Sequence, residues 1–176
     1  MTPEITRFSG EHRFLSNFYD APTWYDGVLY PTSEHAFQAA KSTNPKARKH
    51  ILKQPTPGAA KRAGRMVELR EDWEDVKNRV MYEVCLAKFL REPLRSRLLD
   101  TGDAELIEGN YWHDTYWGVC TCEDCPEGRN ELGKILMVVR KDLRNPEYME
   151  SILQGEWIKL AGGADGTGEG RPSTHH

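Results

Sequence analysis

The chain has 176 residues, 38% hydrophobic and 29% charged, with a net charge of −3. This length suits one domain with a sizeable core, and the negative charge excludes a general attraction to nucleic acid. No apolar run approaches the roughly 20 residues of a membrane span, and the amino end lacks signal-peptide features. We therefore expect a cytoplasmic protein with no membrane partner.

The first elements in chain order are predicted to be strands. Residues 5–30 are rich in aromatic and β-branched side chains, and Asp26-Gly27 separates two short apolar runs. This pattern predicts a hairpin within a small antiparallel sheet. The following Pro-Thr-Ser-Glu predicts a helix that begins at Thr32 or Ser33, and Asn44-Pro45 should end it.

The rest of the chain has mainly helical patterns. Helices are predicted over 47–53, from about Ala59, from the cap Asp72 onward, over 92–101, over 103–109, from about Asn130 to 143, and after Pro146. The glycine-rich segment 161–176 is predicted to be a flexible tail whose final histidines resemble an expression tag. The predicted fold is a helix-rich α+β single domain over residues 1–160 with a small antiparallel sheet.

The first predicted helix carries a line of polar side chains. At about 100° per residue, Glu34, Gln38 and Lys41 fall within roughly 60° of one another. Glu34 and Lys41 are long enough to reach a small ligand, such as a sugar, that lies over Gln38. The alternative is a solvated helix face.

Two further motifs suggest a binding site. In "NYWHDTYWG", Asp114 sits among large aromatic residues, where a carboxylate is a candidate acid or base. His113 is interpreted as a structural neighbour, and the aromatics alone would also suit a core. In "KRAGR", Arg62 and Arg65 are candidates for bidentate phosphate contacts, with a solvated basic turn as the alternative.

Three cysteines, Cys120, Cys122 and Cys125, fall within six residues. Such crowding suits a structural zinc better than a disulfide framework, and either His113 or Cys85 could supply a fourth ligand. Three plain thiols are the alternative. No motif for NAD, flavin or magnesium is present, so no cofactor is expected for catalysis.

Several segments occur in the order typical of one family. They are "FLSNF", "YPTSEHAFQAAK", "AKRAGR", "DWEDVKNRVMYEVCLAKF", "DTYWG" and "RNELGKILMVVRKDLR". Over residues 7–144 the chain resembles the NADAR family, also called YbiA-like. The resemblance implies a helix-rich α+β domain and an N-glycosidase. The implied substrates are phosphorylated ribosylamino-pyrimidines of riboflavin synthesis, or ADP-ribose joined to guanine in DNA.

The resemblance also implies a pocket. Carried over by motif, its residues are Asn17, Phe18, Glu34, Lys41, Arg62, Arg65, Trp73, Asp114, Trp117 and Asn130, to which the polar line adds Gln38. Glu34 and Asp114 would share the acid and base roles, and Lys41 would be a nucleophile or a binder. Many relatives have a glycine-rich loop where this chain has "VCTCEDCPEG", so the cysteines are expected to be structural.

Two other functions remain open at this point. One is a non-catalytic module that binds ADP-ribose or a nucleotide through the arginines and aromatics. The other is a small zinc-dependent nucleic-acid-binding protein, which the net negative charge disfavours.

Overall fold

A computed structural model describes residues 3–155; the predicted tail and the predicted domain end at residue 160 lie outside this range. The elements in chain order are β1 (Glu4–Ile5), a 3-10 helix (Gly10–Leu15), β2 (Thr23–Tyr25), β3 (Val28–Tyr30), α1 (Ser33–Ala40), α2 (Pro45–Leu52), α3 (Pro57–Gly64), α4 (Trp73–Phe89), α5 (Leu94–Asp100), β4 (Glu105–Leu106), β5 (Gly109–Asn110), β6 (Val119–Cys120), α6 (Glu131–Arg144) and α7 (Pro146–Leu153).

The helix-rich α+β fold is confirmed. Strands β2 and β3 form the predicted antiparallel hairpin, and its turn residues Asp26 and Gly27 have φ of 47° and 73°. Positive φ at both positions is the geometry that matches the twist of the flanking strands. Among the described residues, the other strand pairs, β1 with β4 and β5 with β6, are parallel. Strands β1 and β4 lie far apart in sequence, whereas β5 and β6 flank a single loop.

The predicted helix starts follow from their capping residues. The Thr32 hydroxyl accepts the N–H of His35 at the start of α1, and Thr56 accepts that of Ala59 at the start of α3. Helix α4 begins directly after Asp72, as predicted. The Asp72 carboxylate, however, binds the Arg70 guanidinium rather than the helix N-terminus.

The helix predicted over 103–109 is wrong. Strand β4 lies there and pairs Glu105 with Glu4 and Leu106 with Ile5, and β5 begins at Gly109. Local sequence favoured a helix, but the backbone groups of this segment find partners in the amino-terminal strand and in β6. Tertiary pairing therefore overrides local propensity here.

The core lies between α4, α1 and α6, with the hairpin packed against α4. All eight residues of α1 are buried, so this helix runs through the interior. Across residues 3–155, no helix combines the length and the apolar character needed to cross a membrane.

We expect Gly133→Ala to destabilise the fold. Gly133 lies on α6, and a Cβ there would overlap the Leu106 carbonyl oxygen of β4. A backbone atom cannot move aside easily, so we expect a loss of ~2 kcal/mol or more in the free energy of unfolding, measured by chemical denaturation. Gly58→Ala is the control, because its Cβ would lie 3.7 Å from the Arg62 side chain, an ordinary contact. Equal stability of the two variants would contradict this packing.

Candidate active site

A cavity of about 940 Å³ opens between α1, α3, the segment after the 3-10 helix and the β4–β6 region. It brings together nine of the eleven predicted catalytic and substrate-binding residues. They are Asn17, Phe18, Glu34, Gln38, Lys41, Arg62, Arg65, Asp114 and Trp117. Trp73 and Asn130 are absent from its lining.

Helix α1 places its polar line against this cavity. Glu34 and Gln38 are 6% and 3% exposed, which rules out the alternative of a solvated helix face. Gln38 Nε2 donates to Glu34 Oε1 at 2.7 Å. The Gln38 side chain packs on α3 at Gly64, where any Cβ would collide with the amide. Gly64 therefore allows α1 and α3 to approach closely enough to share one cavity.

Burial shifts the pKa values of Glu34 and Lys41 on this line. Desolvation raises the pKa of Glu34, against the opposing effects of Lys61, the Gln38 hydrogen bond and Lys41. Desolvation likewise lowers the pKa of Lys41, opposed by Glu34. A larger fraction of neutral amine makes a lysine a better nucleophile.

The segment after the 3-10 helix is tied to the start of α1. The Asn17 carbonyl accepts the N–H of Glu34 at 3.0 Å, and Asn17 Nδ2 donates to the Met81 sulfur at 3.2 Å. The buried Lys88 Nζ donates to the Ser16 carbonyl at 2.8 Å. These contacts hold Asn17 and Phe18 beside Glu34.

Five cationic side chains line the cavity. Helix α3 and its C-cap supply Lys61, Arg62 and Arg65, and Lys41 and Arg7 add two more cations. The Lys61 ammonium lies 5.7 Å from the centroid of the Phe18 ring. Clustered arginine and lysine side chains of this kind suit a phosphate group.

Asp114 is held by the loop between β5 and β6. Its Oδ1 accepts the N–H groups of Tyr116 and Trp117 at 3.1 and 2.8 Å. Asn110 binds both the N–H and the carbonyl of Asp114, at 3.2 and 2.8 Å. The Trp117 ring packs edge-on against Phe37 at 5.3 Å, which joins this loop to α1.

The two remaining predicted residues support the site from outside. Trp73 is buried with its ring 5.2 Å from that of Phe37. Asn130 donates through Nδ2 to the Leu106 carbonyl at 2.8 Å and accepts the Glu108 N–H on Oδ1 at 3.1 Å. Trp73 and Asn130 thus contact the cavity-lining residues Phe37 and Glu108 without lining the cavity themselves.

The structure adds lining residues that sequence reasoning missed, above all Glu108, together with Lys61, Arg7, Tyr111 and Trp112. Lys61, Tyr111 and Trp112 lie within the motifs "KRAGR" and "NYWHDTYWG", so the motifs already pointed to them. Glu108 lies in the segment predicted as helix, and no local signal separated it from a surface glutamate. Burial, followed by the nearby charge of Asp114, raises the pKa of Glu108 to about 8.

The cysteine loop forms a cluster that could hold a metal ion. One ligand atom each from His113, Cys120, Cys122 and Cys125 lies within 4.8 Å of the others. His113 Nδ1 is 3.2 Å from the Cys125 sulfur and 3.4 Å from that of Cys122. The other fourth-ligand candidate, Cys85, is buried in the core within 3.9 Å of the Asn17 side chain.

Comparison with known proteins identifies the family. The NADAR domain family model matches residues 6–144. N-glycosidase YbiA of Escherichia coli is 40% identical over 138 residues, covering 77% of this chain and 84% of that protein. A riboflavin biosynthesis protein of Vibrio vulnificus is 38% identical over 136 residues, but this match covers 76% of this chain and only 36% of that protein.

A solved structure agrees with these matches. The NMR structure of E. coli YbiA superposes with a TM-score of 0.70 and 36% identity, covering 89% of this chain and 90% of that one. The chain belongs to the NADAR domain family.

Glu34→Gln should reveal the cost of burying this carboxylate. Because desolvation raises the pKa of Glu34 above its ordinary 4.5, the folded protein holds the proton of this carboxyl group more tightly than the unfolded chain does. The contribution of this group to the free energy of unfolding is fully present below pH 4.5 and is lost as pH rises through the folded-state pKa. The variant should therefore melt at higher temperature than the parent at pH 8, with the difference shrinking toward pH 4, as measured by calorimetry. Glu68→Gln, at an exposed position, should show no such trend. A pH-independent difference at Glu34 would contradict the buried-carboxylate interpretation.

Proposed function

We propose that this protein is an N-glycosidase that hydrolyses the ribosyl C–N bond of a phosphorylated nucleotide-like substrate. The candidate substrates are a phosphorylated ribosylamino-pyrimidine and an ADP-ribosylated guanine. The observation that carries the proposal is one cavity lined by three carboxylates, Glu34, Glu108 and Asp114, and by five cationic side chains. Carboxylates suit the reacting sugar carbon, and cations suit phosphate.

The relatives support the same chemistry. The E. coli relative is named an N-glycosidase, and the Vibrio relative is named a riboflavin biosynthesis protein. We infer from these names that the ribosylamino-pyrimidine phosphate is the first substrate to test. Because a substrate joined to DNA would also present phosphates to the cations at the cavity, an ADP-ribosylated nucleic acid is the second.

The reaction needs negative charge near C1′ because cleavage of the C–N bond develops positive charge on the sugar. Glu34 is deeply buried beside the cavity, where the field of a carboxylate is screened little. Asp114 is held by backbone N–H groups at the other wall. We assign these two side chains to charge stabilisation and to proton movement from the attacking water.

Lys41 has two candidate roles. Its amine either binds a hydroxyl or phosphate group, or it adds to C1′ of the ring-opened sugar. In the second case the base leaves with a proton and water hydrolyses the resulting imine. Lys41→Arg keeps the charge and removes the nucleophilic amine. Activity in this variant would exclude the imine, whereas inactivity together with borohydride trapping of a sugar adduct in the parent would support it.

The test of the proposed function is a nucleobase-release assay. The panel contains a ribosylamino-pyrimidine phosphate, guanine-ADP-ribosylated DNA and free ADP-ribose. Release of base from either ribosylated substrate supports the proposal. Binding of ADP-ribose without release of base from any member would instead favour a non-catalytic binding module.

We expect the carboxylate and arginine variants to separate rate from affinity. Glu34→Gln and Asp114→Asn should lose roughly 10² to 10⁴ in kcat with a small change in KM, as is typical for a positioned acid or base. Arg62→Ala and Arg65→Ala should mainly raise KM through lost phosphate contact. Arg79→Ala, an exposed arginine on α4 outside the cavity lining, is the control. Parent-like kinetics in both carboxylate variants would refute the site.

We also propose that His113, Cys120, Cys122 and Cys125 bind one structural zinc ion. Three thiolates and an imidazole are a common ligand set for zinc, and tetrahedral coordination separates ligand atoms by roughly 3.5–3.8 Å. Separations of 3.2–4.0 Å between His113 Nδ1 and the three sulfurs are close to this range. The ion would close the loop that carries Asp114, since His113 precedes that residue and Cys120 lies in β6.

Elemental analysis should find one zinc per chain in protein purified without metal-affinity resin or chelator. Cys122→Ser should remove the metal and lower the melting temperature, because metal binding contributes directly to folding. Cys85→Ala is the control and should keep the metal, since Cys85 lies in the core. Metal-free parent protein, or full zinc content in Cys122→Ser, would contradict this assignment.

A further inference from the structure

Glu108 is a carboxyl group of the cavity that has no structural task. It lies between β4 and β5, and its side chain is partly exposed to the cavity. The side chain makes no hydrogen bond or ion pair with any residue between 3 and 155. By contrast, Glu34 Oε1 is bound by Gln38, and Asp114 Oδ1 is bound by two N–H groups. Both Glu108 carboxyl oxygens are thus available to a ligand.

The backbone of Glu108 is held on both sides. Its N–H donates to Asn130 Oδ1 at 3.1 Å, and its carbonyl accepts the Val119 N–H at 2.9 Å. The next residue, Gly109, donates to the Thr6 carbonyl at 3.2 Å and has no space for a Cβ beside that oxygen. Three separate segments therefore orient a side chain that is itself unpaired. Proton transfer to a ligand requires a carboxyl group that is held in position by the backbone and is not bound by another residue.

We infer that Glu108 is the general acid that protonates the leaving base. This assignment rests on the proposed N-glycosidase function and adds a third residue to its chemistry. As the C1′–N bond breaks, its electron pair passes to the base nitrogen, and the Glu108 carboxyl proton moves to that nitrogen. Water adds to C1′ and gives a proton to Glu34 or Asp114, and proton exchange with solvent then returns the three side chains to their starting forms.

The surroundings of Glu108 agree with this role. Desolvation contributes most to its raised pKa, and the charges of Asp114 in the β5–β6 loop and Glu34 on α1 act in the same direction. Lys61 on α3 acts in the opposite direction. The resulting pKa of about 8 leaves the group mostly protonated at neutral pH. A carboxyl group that keeps its proton at neutral pH can donate that proton to a leaving group.

The test compares two probes in the parent and in Glu108→Gln. The first probe is a ribosylamino-pyrimidine phosphate, whose base leaves only with a proton. The second is 4-nitrophenyl ribofuranoside 5-phosphate, whose leaving group departs as a stable anion. The variant should lose roughly 10² to 10⁴ in kcat on the first probe and less than about 10-fold on the second. Glu105→Gln, on neighbouring β4 and exposed, is the matched control and should behave as the parent.

The pH profile gives a second readout. Parent activity on the first probe should fall as pH rises through about 8, where Glu108 loses its proton. That basic limb should be absent from the residual activity of Glu108→Gln. Thermal unfolding at pH 6 checks that the variant is folded. Should it not fold, Glu108→Asp serves instead, because withdrawing the acid by about one bond should cost the first probe on the order of 10²-fold and largely spare the second.

Two results would overturn the assignment. One is an equal loss on both probes, which would indicate charge stabilisation rather than proton donation. The other is unchanged turnover of the first probe in a folded Glu108→Gln. Failure of the parent to release base from both the ribosylamino-pyrimidine phosphate and guanine-ADP-ribosylated DNA would instead overturn the N-glycosidase proposal, and the assignment of Glu108 would fall with it.

Discussion

The side-chain amide of Asn130 fixes the turn between β4 and β5, which carries one wall of the cavity. It accepts the N–H of Glu108 and donates to the carbonyl of Leu106, so the turn between β4 and β5 is held against the start of α6. Asn130 has a left-handed backbone, with φ of 51° and ψ of 39°. Asparagine tolerates this conformation better than most residues because its short polar side chain forms local hydrogen bonds.

The other contacts at the start of α6 depend on this junction. The N–H groups of Glu131 and Leu132 donate to the carbonyls of Tyr116 and Trp117, at 3.1 and 3.0 Å. The first turn of the helix is thus satisfied by the loop that carries Asp114, instead of by a capping side chain. Two carboxyls of the cavity, Glu108 and Asp114, are therefore positioned from a single helix terminus.

The cationic and the acidic side chains of the cavity come from several short segments of the chain. Cations come from the α1 terminus, α3 and Arg7, while the carboxylates come from α1 and the β4–β6 region. Burial pushes Glu34 and Lys41 toward their neutral forms, and a charged ligand would replace some of the lost hydration. A ligand that carries a phosphate group and develops positive charge during the reaction would complement both the cations and the carboxylates. The same environment explains why the polar line on α1 is tolerated inside the protein.

The elements that depend on local signals were predictable. The hairpin at Asp26-Gly27, the start of α1 after Thr32 and the start of α4 after Asp72 each follow from residues a few positions apart. The segment 103–109 was not, because its backbone pairs with β1, which is distant in sequence, and with β6, which follows the next loop. A local residue pattern does not show which other segment will pair with it.

The features of the candidate site likewise separate into those that local sequence indicates and those that depend on the tertiary structure. Motifs indicated Glu34, Gln38, Lys41, Arg62 and Arg65 as candidates for a polar binding surface, since residue type and helical spacing are local properties. Only the tertiary structure decided that Glu108 enters the cavity while Asn130 supports it from behind, and that His113 rather than Cys85 joins the three loop cysteines. These outcomes depend on which segments meet in space, and burial and ligand geometry exist only after they have met.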